Sequence, residues 1–150
     1  MWIELTEIHL KEALSGPEVE AFRTAALADG QADPVPGLIE AVVRQIRSRV
    51  AACKSNTMGA GMTIPDETLS AAKAMLAWEM LTRLPGNDPS LYETREKRKN
   101  DALKYLDSIA KCDAVIEQPA TPSEEVIATP VFEQVSGNKR QATRRKLSGL

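Results

Sequence analysis

A chain of 150 residues is long enough for one domain with its own apolar core, and 43 % hydrophobic against 27 % charged residues excludes a chain that is disordered throughout. A net charge of −2 excludes a molecule that holds polyanions through bulk charge. No run approaches the ~18 consecutive apolar residues of a membrane-spanning helix.

The opening residues, Met1 to Glu7, are acidic where the n-region of a secretory signal would be basic, so the chain reads as cytosolic when made. Thr6–Leu14 reads as a short helix with Leu5, Ile8, Leu10 and Leu14 supplying apolar contacts. Ser15-Gly16-Pro17-Glu18 has the form of a capping box, and a second short helix follows to about Leu27, with Val19, Phe22, Ala26 and Leu27 inward. Asp29-Gly30 ends it.

Pro34 and Pro36 punctuate the next loop, and a long helix is expected from about Gly37 to Lys54. Leu38, Val42, Ile46 and Val50 recur on one stripe, and Arg44, Arg47 and Arg49 occupy the rest of its surface. Arg44 and Arg47 are either part of a solvated basic face or contacts to a neighbouring copy. Ser55–Pro65, "SNTMGAGMTIP", reads as a flexible loop. Its Gly59-Ala60-Gly61 has neither a preceding strand nor a following Gly-Lys-Ser/Thr, so it is not a phosphate loop. Met58 and Met62 at the loop tip either tuck under the domain or touch a neighbour.

Asp66 opens the next helix, with Leu69, Ala72, Met75, Leu76, Met80 and Leu84 as its stripe. Its Trp78 is a half-buried packing residue or an interface anchor. Pro85-Gly86 ends it. Ser90–Glu93 forms a second capping-box pattern, and the last helix runs to about Cys112. Its first half carries charges of alternating sign, and Ala102, Leu103, Leu106, Ile109 and Ala110 sit at core spacing in its second half.

After Ile116 the periodicity fails. The division expected is therefore a helical body, residues 1–117, and an extended C-terminal arm, residues 118–150. The body carries 14 Lys and Arg against 18 Asp and Glu, a net of −4; the arm carries 5 against 3, a net of +2. The arm starts with linker composition, Gln118 to Glu125. Val131, Phe132 and Val135 then mark a β-prone run suited to strand addition on a partner. Lys139, Arg140, Arg144, Arg145 and Lys146 form a basic cluster suited to an acidic partner surface, with Leu147 and Leu150 as apolar anchors.

Chemistry-bearing patterns are sparse. His9 is the single histidine and reads as a surface residue. Asp33, Asp66 and Asp88 fit turns and caps, and no set of residues has metal-ligand spacing. Cys53 and Cys112 read as free thiols packed as small hydrophobes, a disulfide between them being the alternative. The expectation is a non-enzymatic protein with no catalytic, cofactor-binding or metal-binding residues. The fold class expected is all-α: a small bundle of four to five helices with an extended arm.

Three segments in order carry a resemblance. They are "LIEAVVRQIRSRVAA" with its loop, the alanine-rich "LSAAKAMLAWEMLTRLPG", and "ETREKRKNDALKYLDSIAKCDAVI". Over about Pro36 to Pro119 the chain resembles the small helical head–tail connector proteins of tailed bacteriophages and Mu-like prophages, the adaptor or head-completion family. Ala102-Leu103, Leu106, Ile109-Ala110 and Lys111 match the family's last-helix pattern. The family places Gly after the Ile-Ala-Lys step, and this chain has Cys112. The resemblance implies a virion structural protein of the neck, assembled in the host cytoplasm. Its partners would be the portal protein, neighbouring copies in a ring (typically a dodecamer) and the next neck or tail protein, with packaged DNA close by. Two other readings stand beside it: a nucleic-acid-binding helical protein with a basic arm, and a small scaffold or regulatory adaptor outside virions.

Overall fold

Asp33 shows how this sequence starts its helices. Its carboxylate accepts the Val35 N–H at 2.9 Å, which caps the helix that begins at Pro34. Pro34 and Pro36 therefore lie inside the first turn, not in a preceding loop. Neither lacks a partner there, because first-turn N–H groups have no intrahelical acceptor.

The computed structural model describes residues 1–26, 32–83 and 89–120. In chain order these form β1 (Trp2–Glu4), α1 (Glu7–Ala13), α2 (Gly16–Ala26), α3 (Pro34–Ala52), β2 (Thr63–Pro65), a 3-10 turn (Asp66–Thr68), α4 (Leu69–Arg83) and α5 (Pro89–Ala110). The protein is mostly helical, as expected, with five helices among the described residues. Met1–Ala120 forms one compact unit. The expectations for Leu27, Asp29-Gly30, Leu84 to Asp88 and the arm from Thr121 onward, Val131 to Leu150 included, lie outside the described residues. So do the Ala26 side chain and its expected inward position.

The packing follows the apolar stripes. Leu38, Val42, Val43, Ile46 and Val50 of α3 are buried against Ala72, Met75, Leu76 and Met80 of α4 and Ala102, Leu106 and Ile109 of α5. The α4–α5 contact is the most extensive. Alanines at 71, 72 and 77 keep the α4 face low, so neighbouring helices approach closely. α1, α2 and the Leu14 cap between them cover this set with Leu10, Leu14, Val19 and Phe22, all buried.

Several boundaries and faces differ from the sequence reading. Ile8 is 69 % exposed: the α1 stripe runs through Leu10, with Leu5 and Leu14 beyond its two ends. α5 begins at Pro89, which puts Ser90 within its first turn and not at a cap. The Ser15–Glu18 box forms by its reverse half. The Glu18 carboxylate accepts both the Ser15 N–H and the Ser15 hydroxyl at 2.9 Å.

The largest departures involve segments read as irregular. The N-terminus and "SNTMGAGMTIP" pair as an antiparallel ladder, with Ile3 opposite Ile64, and Ile64 is fully buried. Residues 113–120 continue past α5 as a strap on the body, and Ile116 is buried there at 2 % exposure. Cys53 and Cys112 are joined in a disulfide, with Cα atoms 5.4 Å apart, so the expected free thiols are replaced by the alternative. The ends of α3 and α5 come together through packing, and sequence spacing alone did not reveal that proximity.

Candidate interaction surfaces

The first region lies where the short sheet, the 53–62 loop and the strap converge. Arg47 projects from α3 into the loop. Its guanidinium donates to the Thr63 carbonyl at 2.6 Å and the Gly59 carbonyl at 3.1 Å, and sits 5.9 Å from the Trp2 ring centroid. The Trp2 ring lies directly on Gly59, where a Cβ would come within 2.4 Å of it. Gly61 takes the left-handed conformation, φ 58°, that turns the chain into β2. The two glycines therefore serve packing and turning.

The strap ties onto this region at several points. Trp2 Nε1 donates to the Glu117 carbonyl at 3.0 Å, and Glu117 N–H donates to the Glu67 carboxylate at 2.8 Å. Thr57 N–H donates to Gln118 Oε1 at 2.6 Å. The α5 end that feeds the strap is a Schellman turn. Asp113 N–H reaches the Ser108 carbonyl at 2.9 Å and Cys112 N–H reaches the Ile109 carbonyl at 3.0 Å. Cys112 occupies the left-handed position of that turn, φ 65°, where glycine is usual.

A second region is the outer face of α4 and α5. Trp78 and Tyr92 pack with ring centroids 4.7 Å apart, and Lys99 Nζ lies 5.2 Å from the Trp78 centroid. A separate groove of about 420 Å³, between α4, α5 and the end of α1, is floored by Ala74 and Ala77 and edged by Lys73, Arg95 and Arg98. Lys73 is engaged by Glu12 at 2.5 Å, and Arg95 by Glu18. Burial raises the Glu18 pKa. The Ser15 backbone and hydroxyl and the Arg95 guanidinium outweigh it, so the carboxyl ends below its ordinary range.

A third region is a groove of about 370 Å³ between the β1–α1 connection and the start of α3. Its floor includes Leu5, Val35 and Val43, its edge carries Glu4, Glu7 and Glu40, and Met62 stands at its rim, 40 % exposed.

No protein-family model, curated protein or solved structure matches this chain.

The residues singled out as subunit-interface candidates thus fall in different settings. Arg44 is exposed and pairs with Glu40 one turn earlier on the same helix, at 2.5 Å. Arg47 is occupied inside the body by Thr63, Gly59 and Trp2. Met58 is half-buried against the core, whereas Met62 is exposed. Trp78 is half-buried beneath Tyr92 and Lys99. Among the described residues no group of three or more His, Cys, Asp or Glu is placed to hold a metal ion. His9, read as a surface residue, has a local structural role: its Nδ1 accepts the Thr6 N–H at 3.1 Å and closes the capping box of α1. Histidine at that position is uncommon enough that the Thr-x-x-His spacing carried no signal.

Proposed function

We propose that this chain is a structural adaptor of a tailed-phage neck: copies assemble as a ring beneath the portal, close the DNA-filled head and offer a docking surface to the tail. It does so without catalysis, cofactor or metal. The reading rests on the resemblance of its three long helical segments to the adaptor family, and one structural observation supports it in particular. After Ile109-Ala110-Lys111, where that family places a glycine, the chain adopts a left-handed residue and a Schellman turn even though the residue is Cys112. The backbone form that the family's glycine suits is thus present with a different side chain.

The physics of the role agrees with the sequence beyond the body. A basic segment with a β-prone run and terminal leucines gains little from one binding event if it must be ordered on binding. Many copies in a ring raise the effective concentration of the second and later contacts.

The test is electron cryomicroscopy of particles carrying this chain, focused on the neck. A ring of the α1–α5 body below the portal is the expected result. A complete neck without this chain would remove the proposal. Binding to duplex DNA that weakens steeply with salt would instead favour the nucleic-acid reading.

A further inference from the structure

We propose that the Cys53–Cys112 disulfide is a redox latch that holds the 113–120 strap on the body, and that thiol–disulfide exchange at Cys112 releases it. The two sulfurs are unequal. Cys53 is 2 % exposed at the end of α3, and Cys112 is exposed on the turn after α5. An attacking thiolate therefore meets the Cys112 sulfur first. A bond forms between that thiolate and Cys112 Sγ, the Cys53–Cys112 bond breaks, and the electron pair leaves with Cys53. The Ser55 hydroxyl, 2.9 Å from Cys53 Sγ, is placed to donate to that departing thiolate. A second thiol then displaces Cys112, leaving two protein thiols and one small-molecule disulfide. Closure is the reverse, with a low-molecular-weight disulfide accepting the two electrons and becoming two thiols.

The bond bears on the strap through the backbone. Cys112 holds φ 65°, a conformation that costs energy in any residue with a Cβ. The link to Cys53 fixes that residue in place, and the two Schellman hydrogen bonds aim the chain at β1. Beyond the turn, the strap has one buried side chain, Ile116, and hydrogen bonds made by exposed groups of Glu117 and Gln118. The helices by contrast hold each other through Ile46, Val50, Leu106 and Ile109 whether or not the sulfurs are joined. Opening the bond thus loosens the last ten residues of the body, frees the Trp2 indole from the Glu117 carbonyl, and moves the chain's departure point back toward Ala110. This holds independently of the neck assignment.

The experiment is amide exchange on the full chain, oxidised and then treated with dithiothreitol, with Trp2 emission read in a Trp78→Phe background. On reduction the Asp113, Ala114, Glu117 and Thr57 amides should exchange at least about tenfold faster. Trp2 emission should shift to the red, and amides in the middle of α3 and α5 should remain the slowest to exchange, shifted only by the global stability the cross-link supplies. Oxidised glutathione should reverse both changes, and Cys53→Ser should resemble the reduced protein at any thiol level. Unchanged strap exchange after reduction would overturn the proposal. So would a bond that yields to dithiothreitol only in denaturant, or loss of protection throughout α3 and α5, which would make the disulfide a staple of the whole body.

Discussion

Among the described glycines, Gly59 is the one at which the packing leaves least room. A Cβ there would lie 2.4 Å and 2.5 Å from two Trp2 ring atoms and 3.0 Å from Thr63 Oγ1. Gly59→Ala must push the indole off the loop and with it the Arg47 guanidinium beneath. The expected cost is about 1–3 kcal/mol, an overpacking penalty read as a lower urea midpoint. An unchanged midpoint would mean the ring moves aside freely. None of this was legible in the sequence. "GAG" marks flexibility, but only the fold brings a tryptophan from position 2 onto position 59. Arg47 was hidden for the same reason: its acceptors are backbone carbonyls in a loop, which leave no trace in side-chain patterning. Leu106 is the opposite case. Its place in the 102-106-109 stripe was plain from spacing, and it is fully buried. Leu106→Ala should cost about 2–5 kcal/mol in the same measurement.

At the scale of the elements, ion pairs show how the two short helices are held on the three long ones. Arg23 of α2 reaches Glu7 of α1 at 2.9 Å and the α3 cap Asp33 at 3.1 Å. Its buried Nε has no well-aligned hydrogen bond, so Asp33 serves it as a nearby charge only. Glu12 meets Lys73 of α4, and Glu18 meets Arg95 of α5. Lys11 and Arg23 lower the Glu7 pKa, Lys73 lowers that of Glu12, and Ser15 with Arg95 prevails over burial at Glu18. With folded values below the unfolded ones, the native state binds fewer protons than the unfolded chain in this range. The stabilisation is therefore complete above the ordinary carboxylate pKa and lost as pH falls through the folded values. Thermal midpoints should drop as pH falls through and below the ordinary carboxylate range, and Glu18→Gln should flatten that drop while lowering the neutral-pH midpoint. A parallel pH profile in the variant would show that Glu18 carries none of the acid response. Most of these pairs are exposed and individually weak, so Glu18, part-buried with a part-buried partner, is where the effect concentrates. The helices themselves were legible because their stripes are long. β1 and β2 were not: three residues hold too little alternation to be read, and their pairing joins positions about sixty apart.

For the molecule as a whole, the question is where the self-sufficient body ends. Loss of periodicity after Ile116 suggested residue 117. The compact unit runs through Ala120, and past residue 117 the chain is still tied to the body where Gln118 accepts the Thr57 N–H. A strap of this kind has no repeat, so its attachment shows only when the surface it lies on exists. The cross-link just before it closes a chain segment with a sequence separation of 59. Loop-closure entropy puts its worth at about 4 kcal/mol at most, and native disulfides commonly give about 2–4 kcal/mol. These two features separate in a truncation series. A chain ending at Ala120 keeps the disulfide, Ile116 and every strap contact, and should match the full chain in helical circular dichroism and within about 0.5 kcal/mol in stability. A chain ending at Cys112 keeps the disulfide but strips Ile116 from its seat and removes the Glu117 carbonyl to which Trp2 Nε1 donates. It should lose about 2–4 kcal/mol, as for removing one large buried aliphatic side chain. Equal stability of the two truncations would show that the strap only rests on the body. Loss of helix on cutting at Ala120 would show that residues 121–150 are needed for the body to fold.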